Sequence, residues 1–498
     1  MSAATLDIPS SQPDSVWRDP ELRSTLRFLL LPAAIFVPVA AGMQLPSLVL
    51  YGVAGIMALV VLLRSFRNAD LLLALLLIYL PVSRLFVAAI APGFNGTNLL
   101  FIALLGTWFL LSRRKSRPMI ARLPGSRLML CYAMLTSFSA IPSILVVGSG
   151  FIDGLEGYKS WIEQMILYFA VASLIEDARM ARRVVVYAMI STLVGIAFGA
   201  QEMIDKADAG SIEKSRVEGP MMQPNEYGAF VITNLCPFLA LAAMSFPRWR
   251  TVWLLPIVGL GLKVALATFS RGALLGLIPA ALLIGYLRGK RFLFLGAVAA
   301  IVMGVAFPHL VPESIADRFN QTQELREDAS EQLDKSSADR LILWQAAIDM
   351  IVESPILGKG FGMFPYLKAQ YTAIAVPVSD THNMYLWIAS QMGLPALFLF
   401  MLISARMALS GLQILRNQPD EFSKALGMSI LAMVSAWAVI NMFGSRMQSI
   451  ETCALFWVYL AVSGRLAAEP RTAAIPSAPE KLEASFEPAL REDVLDVR

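Results

Sequence analysis

The chain contains two histidines, His309 and His382, and their surroundings separate them. His309 follows Pro308 at the end of an apolar run and reads as structural. His382 stands in Ser379-Asp380-Thr381-His382-Asn383, at the close of a long polar excursion between apolar runs. An imidazole, with an ordinary pKa near 6.5, suits proton transfer at neutral pH. Asp380, two residues away, could orient it. Arg216 is followed by Gly219-Pro220 and Pro224-Asn225, which puts a guanidinium beside the start of a helix that Asn225 can cap. Both features favour anions. Arg271 occupies the short break Ser270-Arg271-Gly272, and a pair of planar guanidinium forks on one side matches phosphate oxygens. Neither a two-histidine metal site nor a D-x-D or E-x-D pair occurs, so neither a metal nor another cofactor is expected.

These groups must be held by membrane helices. Of 498 residues, 57% are hydrophobic and only 16% charged, with a mean hydropathy of +0.62. Soluble domains are far more polar, so the fold class is an all-α polytopic membrane protein. The net charge of +4 is small, and the basic residues sit in short clusters between apolar runs. That pattern sets membrane orientation and implies no nucleic-acid partner. Cys131, Cys236 and Cys453 lie within apolar runs and read as packing residues.

At roughly 17 to 25 apolar residues per crossing, the chain holds about fourteen spans, starting near residues 28, 46, 70, 97, 126, 160, 181, 225, 250, 271, 291, 384, 424 and 449. The apolar stretch after Arg27 has the look of a signal peptide, but its basic region starts late and further spans follow at once, so it reads as an uncleaved first helix. Alternate short loops hold Arg64 and Arg67, Arg113 to Arg122, Arg179 to Arg183, Arg248 and Arg250, Arg288 to Arg291, and Arg406 to Arg416. By the positive-inside rule these face the cytoplasm. The expected order is a cytoplasmic N-terminal tail (1–27), spans 1–11 (28–308), a large exoplasmic loop (309–383), spans 12–14 (384–465) and a disordered cytoplasmic tail (466–498).

On this topology Arg84, Glu163, Glu226, Lys263, Arg271, Arg446 and Glu451 share the outer membrane level, whereas an alternating-access carrier concentrates charge near the midplane. Within the outer loop, Leu341, Trp344, Ile348 and Ile351 predict one apolar helix face, entered near Ser337 and stopped at Ser354-Pro355. Such a helix lies on the membrane surface or packs over the bundle. Gly358-Lys359-Gly360-Phe361-Gly362 predicts a flexible turn that matches no phosphate-loop spacing.

Five motifs in order give the chain a family likeness: Arg216-x-x-Gly219 with Pro224-Asn225, Thr268-Phe269-Ser270-Arg271-Gly272, Arg340-x-x-x-Trp344, Pro355-x-x-Gly358-x-Gly360-x-Gly362, and His382-Asn383-x-Tyr385 with Gly393-Leu394. Through them the chain resembles the O-antigen ligase and exopolysaccharide polymerase superfamily. The resemblance implies a C-type glycosyltransferase-like bundle in the bacterial inner membrane. It implies a metal-independent, inverting enzyme that moves a glycan from a polyprenyl-diphosphate-linked oligosaccharide donor to an acceptor hydroxyl at the periplasmic face. His382, Arg216 and Arg271 would be its catalytic residues, with Arg84, Asn225, Lys263, Arg340 and Asn383 as substrate-binding residues.

The acceptor would be a growing glycan, the lipid A core or a protein hydroxyl, and polysaccharide export machinery is an expected partner. About fourteen spans and a cytoplasmic tail exceed the shorter ligases of that family, which favours a repeat-unit polymerase over an O-antigen ligase. Two other classes compete: a lipid-linked sugar transporter, which calls for midplane charges and repeats not found here, and a non-catalytic scaffold, which has no need of two arginines and His382 on one side.

Overall fold

The computed structural model describes residues 15–29, 63–64, 68–86, 95–116, 118–146, 151–207, 212–290, 292, 335–372, 376–378 and 380–469. The spans expected near residues 28, 46 and 291 lie wholly or largely outside the described residues, as do His309, the outer loop up to residue 334 and the tail from residue 470. Regular structure among the described residues is entirely helical. The principal helices are α1 (Ala69–Tyr79), α2 (Gly96–Arg114), α3 (Ser126–Val146), α4 (Phe151–Leu174), α5 (Ala178–Asp205), α6 (Pro224–Ser245), α7 (Arg250–Ala267), α8 (Arg271–Arg288), α9 (Lys335–Glu353), α10 (Met384–Asn417), α11 (Glu421–Ile440) and α12 (Ile450–Ala467). Among the described residues seven of these, α2, α5, α6, α8, α10, α11 and α12, are long and apolar enough to cross a bilayer, and α3 and α7 contain shorter apolar stretches. The protein is a polytopic membrane protein.

Helix α6 is the hub: from Tyr227 to Phe238 every residue is buried, and it packs on α7, α8 and α11. Helix α12 is almost as enclosed, between α4 and α10. The run expected to span from residue 70 is α-helical only to Tyr79 and continues as a 3₁₀ turn, Leu80–Phe86. Pro81 is the cause, because it has no N–H to offer the Leu77 carbonyl four residues back. The Ser191 hydroxyl of α5 donates to that carbonyl instead, at 2.6 Å. The turn carries Arg84 into the bundle.

A second break lies in α10. Helix α10 runs for 34 residues but is interrupted at Gly393, whose φ of 85° and ψ of 165° are not helical. Pro395 cannot bond the Gln391 carbonyl, and the Leu394 N–H turns away to the Pro355 carbonyl at 2.8 Å. Two carbonyls are thereby orphaned. Lys359 N–H bonds the Ser390 carbonyl at 2.8 Å and Gly360 N–H the Gln391 carbonyl at 3.0 Å. Backbone groups at membrane depth must be paired within the protein, so the glycine segment braces the broken helix rather than forming a flexible turn. Close approach requires glycine on both sides: a Cβ at Gly358 would lie 2.3 Å from the Gln391 backbone, and one at Gly393 would lie 2.1 Å from the Ile356 carbonyl oxygen.

Helix α9 packs over α10 through Leu343, Ala347 and Met350, joined by Phe364 and Val376. This corrects the expected apolar face, since Leu341 and Ile348 point outward. Two apolar stripes share this helix, and helical spacing alone cannot say which one meets the bundle.

The break yields a stability test. Gly393→Ala places a Cβ against a carbonyl at a positive φ, a strain of roughly 1–3 kcal/mol, and should lower the thermal midpoint in detergent micelles. Gly259→Ala in α7, where a Cβ meets nothing within 4 Å, is the control and should leave the midpoint unchanged or slightly raised.

Candidate active site

Short irregular segments between helices converge at one end of the bundle, at the starts of α6, α8 and α12 and the end of α11. Among the described residues, three of the four non-glycine residues with positive φ lie in them: Met222 (53°), Phe269 (51°) and His382 (51°). Each holds a local left-handed conformation that the surrounding packing must support. Phe269 ends the α7–α8 connection and places Arg271 as the first residue of α8. Met222 precedes α6, and His382 precedes Asn383, which caps α10 by accepting from the Tyr385 and Leu386 N–H groups.

Arg216, Asn225, Phe269, Arg271, Arg340 and Arg446 are among the residues lining a cavity of about 110 Å³. The Arg216 guanidinium is fixed by two bonds, Nε to the Thr268 carbonyl at 3.1 Å and Nη2 to Asn225 Oδ1 at 3.1 Å. Asn225 therefore orients Arg216. The expected cap of α6 is supplied instead by Gln223, whose side chain accepts from the Glu226 N–H at 2.6 Å. Pro224 makes this possible, being the preferred first helical residue with no N–H to satisfy. The first turn of α8 also lines the cavity through Ser270, Gly272 and Ala273, which adds the positive end of a helix dipole.

Beside this cavity stands His382. Its loop is pinned on three sides: Trp344 Nε1 donates to the Thr381 carbonyl at 3.0 Å, Met384 N–H donates to the Asn441 carbonyl at 2.8 Å, and the Thr381 and Ser445 hydroxyls meet at 3.2 Å. The Asp380 carboxylate is held by Gln448 Nε2 at 3.1 Å and lies 3.6 Å from His382 Nδ1, close enough for charge attraction but beyond hydrogen-bond length. Burial is the largest influence on the imidazole and holds it below the usual histidine range; the Arg340 and Arg446 charges push the same way, against the pull of Asp380.

Arg84 lies apart from the cavity lining. It bridges Glu226 at 3.4 Å and Glu451 at 3.3 Å, and donates to the Met221 carbonyl at 2.8 Å and the Ser449 hydroxyl at 2.9 Å. It thus ties α6 to α12 beneath the site. Lys263 is exposed on α7 and does not line the cavity. Arg446 is the residue the motifs missed. It sits in the α11–α12 connection, 8% exposed, and only its outer-level position between two apolar runs marks it in the sequence.

At the far end of α12, roughly 27 Å away at 1.5 Å per residue, charges are matched instead. Arg183 meets Asp19 at 3.0 Å, Glu21 at 2.6 Å and Asp70 at 2.8 Å, while Arg182 meets Asp420 at 2.9 Å. Among the described residues, the cavity lining gathers four arginines and no carboxylate.

With two histidines in the chain, His309→Gln leaves one imidazole to follow by NMR in histidine-labelled protein. It should titrate below the ordinary value of 6.5. Arg340→Gln removes a charge that opposes protonation and should raise the midpoint; Asp380→Asn removes one that favours it and should lower it.

Residues 256–401 match the family model described as O-antigen ligase. The match takes in Lys263, Arg271, Arg340, His382 and Asn383 and leaves Arg84, Arg216, Asn225 and Arg446 outside. A search of curated proteins finds no match to the chain. The geometry and the family match meet in one segment: residues 256–401 of this polytopic membrane protein match the O-antigen ligase family model, and the same segment supplies Arg271 and Arg340 to the cavity and His382 beside it.

Proposed function

We propose that the chain transfers a glycan from a polyprenyl diphosphate to an acceptor hydroxyl at the periplasmic face of the inner membrane, and that it is a repeat-unit polymerase. The family domain supports glycan transfer of the O-antigen ligase and polymerase type. The observation that carries the reading is the arginine-lined cavity next to a half-buried histidine held below its ordinary pKa range. The bond between sugar C1 and the diphosphate oxygen breaks, and the leaving diphosphate gains negative charge. Fixed guanidinium groups and the α8 N-terminus stabilise that charge as it develops. Arg216 and Arg271 take this role, with Asn225 holding Arg216 in register. His382, neutral at pH 7, accepts the proton of the acceptor hydroxyl as its oxygen bonds to C1. Attack from the face opposite the leaving group inverts C1. Asp380 then faces the imidazolium and stabilises it.

A second reading, an O-antigen ligase acting on lipid A core, is favoured by the description of the matching family. Polysaccharide from a strain lacking the chain separates them. Single lipid-linked repeat units indicate a polymerase; long chains retained on the carrier indicate a ligase. Units that fail to reach the periplasm would point to a transporter and sink both.

Complementation of that strain tests the chemistry. His382→Ala should reduce transfer by roughly 100- to 10,000-fold, and His382→Gln should not restore it, because an amide cannot take up the proton. Arg271→Lys should retain part of the activity that Arg271→Ala loses. A Gln variant at position 382 with near wild-type transfer would leave the histidine a positioning role only.

The orientation is testable separately. In a Cys131→Ala background, Tyr366→Cys, exposed on the α9–α10 connection, should react with an impermeant maleimide applied from the periplasm. Ser116→Cys should not. The reverse pattern would place the cavity on the wrong side for a lipid-linked donor.

A further inference from the structure

Helix α9 carries two apolar stripes, and the bundle covers one of them. Leu343, Ala347 and Met350 are buried in the packing between α9 and α10. On the 3.6-residue period Leu341, Ile348 and Val352 fall on the opposite side of the helix. All three are exposed, Val352 by 75%. Along one border of that side run Gln345, Asp349 and Glu353, spaced four residues apart. Gln345 Nε2 donates to Asp349 Oδ1 at 2.9 Å, while Glu353 pairs with Lys359 at 2.6 Å and accepts from the Tyr371 hydroxyl at 2.5 Å. One helix thus presents a bundle side, an apolar side and a polar edge.

The apolar side does not end with the helix. Ile356 and Leu357 follow it, are also exposed, and stand beside the break in α10, where the Leu394 N–H donates to the Pro355 carbonyl at 2.8 Å. From Leu394 the exposed side of α10 continues at helical spacing through Phe398, Met401 and Leu409. Helix α10 is long and apolar enough to cross a bilayer, so that side of it meets hydrocarbon. The uncovered stripe of α9 is therefore continuous with a lipid-facing surface. We infer that the outward side of α9 is seated in the bilayer, in the leaflet on the cavity side, with lipid acyl chains as its partner. The polar edge at Asp349 and Glu353 then faces headgroups and water, which is the division an interfacial helix requires. A helix can enter this layer because its backbone groups are already paired. The same helix supplies Arg340 to the cavity lining and bonds the Thr381 carbonyl through Trp344. Seating it in lipid fixes the cavity and the His382 loop at the membrane surface. The inference does not depend on the glycan-transfer reading.

The test uses the purified full chain in lipid nanodiscs, in a Cys131→Ala background, with a bimane fluorophore attached at Val352→Cys or, separately, at Ile348→Cys. Phe398→Cys on α10 is the lipid reference and Glu353→Cys on the polar edge is the water reference. Phospholipid with brominated acyl chains quenches from the hydrocarbon, and iodide quenches from water. Labels at positions 352 and 348 should lose as much fluorescence to the brominated lipid as the label at 398, and less to iodide than the label at 353. Iodide quenching at both positions equal to that at 353 would overturn the inference, because the stripe would then face water. Labels reached by neither quencher would overturn it too, since protein would then cover the stripe, whether another segment of this chain or a second copy.

Discussion

Like charges repel, and one end of this bundle is organised around holding four guanidinium groups about one small cavity. Two like charges roughly 8 Å apart repel by about 2 kcal/mol at an effective dielectric near 20, a large share of the 5–15 kcal/mol by which native proteins are typically stable. Several such pairs cannot be kept together by side-chain preference alone. The backbone fixes them instead: Arg216 is tied to the Thr268 carbonyl and Asn225, Arg271 begins a helix, and Arg446 is folded over Gly444. A site held this rigidly is arranged for an anion before the anion arrives, which is the arrangement that electrostatic catalysis requires.

The scaffold beneath the site follows from the second constraint of a membrane interior, that backbone polar groups find partners within the protein. Pro81 and Pro395 each remove a donor, and each loss is met from another element, by Ser191 in one case and by the Lys359–Gly360 segment in the other. The two repairs have consequences at the site. The first lets the chain turn so that Arg84 ties α6 to α12 through Glu226 and Glu451. The second clamps the outer loop to α10, one helical stretch below Asn383 and His382.

The two ends of the bundle differ in how charge is treated. At the far end, arginines meet carboxylates directly, as in the Arg183 cluster with Asp19, Glu21 and Asp70, and the pairs serve as fastenings. Near the cavity Glu226 and Glu451 bridge Arg84, and Asp380 faces His382.

The membrane class, the helical elements from Ala69 to Ala467 and the resemblance carried by five ordered motifs were legible in the sequence, because apolar run length and local punctuation depend on neighbours along the chain. So were Arg216, Arg271 and His382 as residues of interest, since polar groups at the edge of apolar spans are conspicuous, and Arg340 through the resemblance carried by Arg340-x-x-x-Trp344. The sequence could not choose the buried face of α9, where Leu343 rather than Leu341 turns inward, nor foresee that Gln223 and not Asn225 caps α6. It put Lys263 among the substrate-binding residues and left Arg446 out, yet Lys263 is exposed on α7 and Arg446 is buried in the cavity lining. It read Gly358 to Gly362 as a flexible turn, whereas that segment pairs with carbonyls more than thirty residues away in sequence. In each case the deciding contact joins elements distant in the chain, and local spacing holds no record of which surfaces meet. Charge type and helix length were fixed by composition; which charges share a cavity, and which lie idle against lipid, was decided only by packing.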